Sequence, residues 1–120
     1  MPRIPVKCLS VNQAFSGRHF KTPAYHTYEQ EVLYLLPKNL KIPDGKLTVS
    51  ITFGVSNKGA DVDNPTKTFL DLLSKAYKFN DNLIYLVSSH KEITKKGKEF
   101  IEFTIESYPT THDFRKLLVN

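Results

Sequence analysis

The chain has 120 residues, and 17 lysines and arginines against 12 aspartates and glutamates give it a formal net charge of +5. Its hydrophobic fraction of 40% excludes an intrinsically disordered chain, and its length is that of one folded domain. The longest apolar runs, residues 32–36 and 83–87, are far shorter than the ~20 residues of a membrane span, and the first residues lack a signal-peptide core. We therefore expect one cytoplasmic domain over residues 1–120 and, from the charge, an anionic partner such as nucleic acid.

The first helix and the longest strand have clear local signals. Thr22 and Pro23 mark a helix start, and apolar residues at helical spacing continue until Pro37 and Asn39 end the pattern. The segment "KLTVSITFGV" then alternates apolar and polar residues over positions 47–55. This alternation predicts a strand with one face in the core.

A second helix and two further strands follow. Asn64 as N-cap and Pro65 at the first helical position predict the helix start. The run "LIYLVSS" at 83–89 predicts a buried strand, and "FIEFTIE" at 100–106 predicts an alternating one. We interpret the basic segment "KEITKKGK" (91–98) as the turn that joins these two strands in a hairpin. Near the C-terminus, "HDFRKLLV" predicts a short helix.

The order of these elements predicts the fold class. Strand, helix, strand, helix, strand, strand is typical of the α+β class. We expect a single two-layer domain in which a mixed β-sheet carries its helices on one face.

Four of the six aspartates lie between positions 61 and 81. Asp61 and Asp63 are two apart in an extended segment leaving a strand, so their side chains can converge. Asp81 precedes the next strand, and its return to the same place depends on tertiary structure. Three carboxylates in one pocket repel one another unless a hard cation such as Mg²⁺ or Mn²⁺ binds. The alternative is a set of solvated carboxylates that cap a helix.

Lys67 lies four residues after Asp63 and four before Asp71, on one face of a helix. Its ammonium group forms either an exposed salt-bridge ladder, worth about 0.2–0.5 kcal/mol per pair, or a contact with a phosphate oxygen beside the carboxylates. A calcium loop of the EF-hand type is excluded, because its fifth and twelfth positions counted from Asp61 hold Pro65 and a leucine.

The segment "DVDNPTKTFLDLL" resembles the D-x-D-N-x-x-K-x-x-x-D-x-L pattern of the RusA family of Holliday junction resolvases. Further along, "NDNLI" is similar to the family's D-D-x-x-V/I element, and "SVNQAF" and "YEQEV" resemble its N-terminal asparagine turn and first helix. The resemblance implies a RusA-like fold and a homodimeric, Mg²⁺-dependent endonuclease. Such an enzyme hydrolyses two opposing strands of a four-way DNA junction in DNA recombination and repair.

The resemblance also implies the roles of individual residues. Asp61, Asp63 and Asp81 match the acidic catalytic positions that bind Mg²⁺, for which Mn²⁺ can substitute. Lys67 matches the family's catalytic lysine. Asp71 matches a further acidic position, whose role we take to be structural. The resemblance implies no organic cofactor.

The chain departs from the family pattern at Asn80, which stands where the first aspartate of the usual pair would be. An asparagine offers a carbonyl oxygen but no charge. An inactive junction-binding module of the same fold, or a nuclease for other branched DNA, therefore remains an alternative. In two polar loops, Lys58, Arg18 and Lys21 are candidates for contacts with DNA, against the alternative that their charges are merely solvated.

Overall fold

The sheet of this protein is built around one long strand. The computed structural model describes residues 2–9, 15–16 and 20–109. In chain order the strands are β1 (Arg3–Ile4), β2 (Phe15–Ser16), β3 (Phe20–Lys21), β4 (Leu47–Val55), β5 (Ile84–Ile93) and β6 (Phe100–Ser107). The helices are α1 (Pro23–Leu35) and α2 (Asp63–Tyr77), and a 3-10 turn (Asp81–Leu83) precedes β5.

β4 is the inner strand between β5 and β6 in a four-stranded sheet of order β1-β6-β4-β5. β6 runs antiparallel to β4, whereas β5 runs parallel to it, with Leu47 opposite Ile84 and Val55 opposite Ile93. α2 is therefore the crossover between two parallel neighbours. A mixed sheet combined with two helices confirms the predicted α+β class.

Both helices bury side chains in one hydrophobic core against the odd-numbered face of β4. Phe69 of α2 lies at the centre, with its ring 6.4 Å from that of Phe53 and 5.6 Å from that of Phe103, both edge-on. Full burial of such a side chain contributes about 1.5–3 kcal/mol. From α1 the buried side chains are Tyr25, Tyr28 and Val32. The helices therefore lie on one face of the sheet, as the sequence predicts.

The start of α1 agrees with the prediction, whereas α2 begins earlier than predicted. In α1, Thr22 Oγ1 accepts a hydrogen bond from the backbone N–H of Tyr25 at 3.2 Å, and Pro23 is the first helical residue, as predicted. α2 begins at Asp63 rather than after Asn64, so Pro65 is its third residue. Proline is accepted there because the first N–H groups of a helix have no partner within the helix.

The predicted hairpin between residues 83–89 and 100–106 is wrong. Both strands pair with β4, on its opposite sides. β5 continues through Ile93, so the first three residues of the predicted turn are strand, and the chain turns at 95–98 with Gly97 at φ 90°. β4 therefore has a strand neighbour on each of its two sides, β5 on one and β6 on the other.

The prediction that residues 83–89 form a buried strand is also wrong. β5 lies at the edge of the sheet, and Tyr85 and Val87 are 56% and 39% exposed. The cause of the error is that a short continuous apolar run does not distinguish an inner strand from an edge strand.

The helix predicted for "HDFRKLLV" lies outside the described residues. Within the described ranges, no helix is long and apolar enough to cross a membrane.

Candidate active site

The loop between β4 and α2 carries the first two candidate carboxylates. Gly59 N donates a hydrogen bond to Asn57 Oδ1 at 2.9 Å, which tightens the loop as it leaves the sheet. The backbone N–H of Asp63 then donates to Asp61 Oδ1 at 3.0 Å. A side-chain oxygen in this position satisfies one of the N–H groups that a helix start leaves unpaired. The structure therefore brings Asp61 and Asp63 together, with both residues exposed.

Lys67 and Asp71 continue this line along α2. Asp63, Lys67 and Asp71 are four residues apart and exposed, whereas Phe69 and Leu72 between them are buried. We call these three exposed residues the α2 ridge. Neither of the two ion pairs in the described part of the chain includes a member of the ridge. The salt-bridge ladder considered as an alternative is therefore not formed, and the Lys67 ammonium can meet an external anion.

Asp71 has a second carboxylate near it. Burial raises the pKa of Asp71 above its ordinary value of 3.8, and the negative charge of Asp81 raises it further, while Lys67 and Lys21 oppose the rise. A cation held near both carboxylates would relieve this repulsion. The structural role predicted for Asp71 stays a prediction, and the influence of Asp81 on it was not predicted from the sequence. The available signal was the position of Asp71 on the same helical face as Asp63.

The carboxylates of Asp61, Asp63 and Asp81 do not form one group. Because β5 is parallel to β4, Asp61 follows the carboxyl end of β4, whereas Asp81 precedes the amino end of β5. In residues 2–9, 15–16 and 20–109, no three Asp, Glu, His or Cys side chains are placed to share one metal ion. The structure therefore does not assemble the three carboxylates, and their shared metal centre stays a prediction. Asp61 and Asp63 lie at one end of α2, and Asp81 follows its other end.

Asp63 and Asp71 lie too far apart along α2 to share one ion, but Mg²⁺ does not need more than two carboxylates. Eight residues along a helix, the separation of Asp63 from Asp71, rise ~12 Å, while Mg²⁺ binds oxygen at about 2.0–2.1 Å. In proteins Mg²⁺ commonly takes only one or two carboxylates, and water and phosphate oxygens complete its shell. A pair of carboxylates is therefore sufficient, and three are not required.

Asn80, where the family pattern has an aspartate, has a local structural role. Its Oδ1 accepts a hydrogen bond from the backbone N–H of Asn82 at 3.0 Å and so caps the 3-10 turn that begins at Asp81. Asparagine and aspartate are equally good at this position of a helical turn. Asn80 therefore caps the turn without contributing a negative charge.

The basic candidates are distributed over different parts of the structure. Lys58 is exposed, and its carbonyl oxygen accepts a hydrogen bond from Lys91 Nζ at 2.5 Å. Lys21 Nζ lies 4.6 Å from the centre of the Tyr25 ring, on the side of the molecule where its charge reaches Asp71. Arg18 lies outside the described residues. Among the candidates for DNA contacts, Lys21 is therefore the one whose charge acts on Asp71.

A cleft of about 410 Å³ adjoins Asp61 at the carboxyl end of β4, and Lys7, Cys8 and Glu99 contribute to its lining. The backbone N–H of Glu99 and the Ser56 hydroxyl lower the pKa of the Glu99 carboxyl, so this group stays ionised. Burial raises the pKa of the Cys8 thiol, which makes it a poor nucleophile. The cleft therefore offers space and fixed charge beside Asp61, and its cysteine is not a candidate for covalent chemistry.

Comparisons with known proteins leave the assignment to the residues themselves. No family model matches this chain, and no curated protein is significantly similar to it. The function of this protein is therefore inferred from the charged residues of "DVDNPTKTFLDLL" and from their surroundings.

Proposed function

We propose that this protein is a Mg²⁺-dependent, structure-specific endodeoxyribonuclease of the RusA type that resolves four-way DNA junctions by paired symmetric nicks. The observation that carries the proposal is the α2 ridge. Asp63, Lys67 and Asp71 lie on the exposed side of α2 with no ion pair among the described residues, while Phe69, Leu72 and Leu73 are buried. Charges arranged in this way do little for folding, as expected of groups that meet a ligand.

The chemistry of the ridge suits a phosphodiester substrate. Bound Mg²⁺ would supply Lewis-acid activation of the scissile phosphate and of a water nucleophile. Two carboxylate pairs could hold such an ion, Asp61 with Asp63 or Asp71 with Asp81. Lys67 lies between them on the helix and would place its ammonium group against the phosphate, where it offsets developing negative charge.

The overall charge supports a DNA partner. A net charge of +5 favours a polyanion despite the local acidity of the ridge. We assign the phosphate contacts to Lys21 and Lys58, both exposed, together with Arg18. A homodimer would present one ridge to each of two strands, since a two-fold axis suits the near-symmetry of a junction.

The decisive experiment incubates a labelled four-way junction and a matched linear duplex with the protein in Mg²⁺ or in EDTA. We expect paired nicks in the junction alone and none with EDTA, and the Asp63→Asn variant should also lose cutting if Asp61 and Asp63 hold the ion. Asp71→Asn and Asp81→Asn variants then identify the pair that holds the ion, because only members of that pair should change the Mg²⁺ concentration needed for cutting. Asp44→Asn, an exposed aspartate outside the motif, is the matched control.

The separation of Asp81 from Asp61 and Asp63 favours one second candidate, a junction-binding module without catalysis. Binding of the junction without cutting, in both Mg²⁺ and Mn²⁺, would select this module and reject the nuclease. Equal cutting of flaps and junctions would instead assign a broader nuclease for branched DNA.

A further inference from the structure

Two tyrosine rings lie together at the end of the sheet where β4 begins. Tyr85 follows Ile84, which pairs with Leu47 on one side of β4. Tyr108 follows Ser107, which pairs with Leu47 on the other side. The centres of the Tyr85 and Tyr108 rings are 5.6 Å apart, and their planes are tilted by 50°. Aromatic side chains from both neighbours of β4 therefore meet at its first residue.

A lysine completes this group. Lys46 directly precedes β4, and its Nζ lies 4.8 Å from the centre of the Tyr85 ring. The carbonyl oxygen of Lys46 accepts a hydrogen bond from the backbone N–H of Tyr108 at 2.8 Å, so the backbone holds the lysine and the second tyrosine next to each other. We call Tyr85, Tyr108 and Lys46 the tyrosine platform.

The platform combines an exposed ring with fixed surroundings. Tyr85 is 56% exposed, so more than half of its surface is open to a ligand. Its contacts with Tyr108 and Lys46 restrict the ring before any ligand arrives. A ligand that stacks on a ring held in this way loses less of its binding free energy to ordering the side chain. The platform is therefore preorganised for contact with a flat group.

We propose that the tyrosine platform binds unpaired nucleobases of single-stranded DNA. Every base has a flat π-face that stacks on an aromatic ring, and a basic side chain beside the ring contacts the phosphates of the strand. Lys46 makes neither of the two ion pairs in the described part of the chain, so its flexible side chain can turn from the ring to a phosphate. This lysine and the net charge of +5 favour a polyanion over the proline-rich peptides that also dock on aromatic side chains.

This binding site goes beyond the proposed nuclease and does not rest on it. Stacking needs no metal ion and no cleavage, and none of the three platform residues belongs to the α2 ridge. A branched DNA presents unpaired bases where its arms separate, so the platform would also serve a junction nuclease. A protein that cuts no DNA could still bind a single strand in this way.

The test compares two labelled strands of equal charge in EDTA, an oligothymidylate of about ten nucleotides and an abasic strand of the same length. Fluorescence anisotropy measures the dissociation constant of each. The wild-type protein should bind the oligothymidylate at least about fivefold more tightly than the abasic strand, because only the first has bases to stack. Tyr85→Ala should bind the two strands equally, whereas Tyr85→Trp should keep the difference.

Two further variants separate stacking from charge. Lys46→Met should weaken the binding of both strands by the same factor and reduce its salt dependence, because it removes a phosphate contact. Tyr34→Ala is the matched control, since the Tyr34 ring on α1 is 81% exposed but does not belong to the platform. It should leave both dissociation constants unchanged. Thermal unfolding checks that every variant is folded.

Three results would overturn the proposal. The first is equal affinity of the wild-type protein for the two strands, and the second is an unchanged difference between them in Tyr85→Ala. The third is a proline-rich peptide that displaces the oligothymidylate from the wild-type protein and does not bind Tyr85→Ala, since the platform would then take a polypeptide. Junction cutting by a protein that binds both strands equally would keep the nuclease and reject the platform.

Discussion

The two faces of α2 differ in what their side chains contribute. Phe69 and Leu72 on one face are fully buried among the aromatic and aliphatic side chains of the sheet. Asp63, Lys67 and Asp71 on the other face are exposed and make no ion pair in the described part of the chain. Asp71 nevertheless loses part of its solvent, and this partial desolvation, together with the negative charge of Asp81, raises the pKa of its carboxyl.

This difference separates residues that fold the protein from residues available to a ligand. Apolar burial accounts for the first face, since each buried large side chain contributes about 1.5–3 kcal/mol. Exposed charges without partners contribute little to folding, typically within about 0.5 kcal/mol. Substitutions on the buried face should therefore change stability, and those on the exposed face should change activity.

The largest effect is expected at the buried face. Phe69→Ala removes the ring that contacts Phe53 and Phe103, and it should lower the free energy of unfolding by about 3–5 kcal/mol. Urea denaturation measures this change. Lys67→Ala on the opposite face is the matched control and should change it by less than about 0.5 kcal/mol. A smaller loss for Phe69→Ala than for the control would contradict the division into faces.

At the exposed face, Lys67→Met should reduce junction cutting on the order of 100-fold, because about 2.7 kcal/mol of charge stabilisation at the phosphate is lost. Single-turnover kinetics measure the rate, and unfolding experiments should show unchanged stability. Lys75→Met is the control on the same helix, since Lys75 pairs with Glu29 at 2.8 Å and lies outside the ridge. Equal cutting rates for both variants would show that the Lys67 side chain is merely solvated and does not act in cutting.

Asp61 is a case in which one residue can contribute both to folding and to ligand binding. Asp61→Ala should cost about 1 kcal/mol of stability, because its Oδ1 no longer accepts the hydrogen bond of Asp63 N. Asp61→Asn keeps an acceptor oxygen, so it should keep most of the stability while removing the charge. The two variants are compared by thermal unfolding. If both lose the same stability, the charge of Asp61 and not its hydrogen bond supports the helix start.

The smallest effect is a pH dependence at Asp71. Since its pKa is raised in the folded state, the folded protein binds a proton more tightly than the unfolded one, and stability falls as pH rises from 3.8 to the raised value. Asp71→Asn should flatten this slope, by less than about 1 kcal/mol because solvent screens the exposed group. Urea midpoints over this pH range measure it. Asp81→Asn should flatten the slope of stability against pH in part. An unchanged slope in both variants would contradict the electrostatic repulsion between Asp71 and Asp81.

The sequence by itself determined the features that depend on local periodicity and caps. The alternation over 47–55 predicts β4 with its bounds, and the alternation over 100–106 predicts β6 to within one residue. Thr22 and Pro23 locate the start of α1. Local spacing likewise makes Asp61 and Asp63 neighbours and puts Lys67 between Asp63 and Asp71, because these relations span only a few residues of continuous chain.

Only the tertiary structure decided the neighbours of β5 and the position of Asp81. Periodicity indicates which side chains point inward, but it carries no information on which strand pairs with which, or in which direction. β5 pairs parallel to β4 and not with β6, and this choice sends Asp81 to the opposite end of the crossover from Asp61. Strand pairing is a contact between distant segments, and its free energy depends on how the whole core packs, so a local pattern cannot fix it.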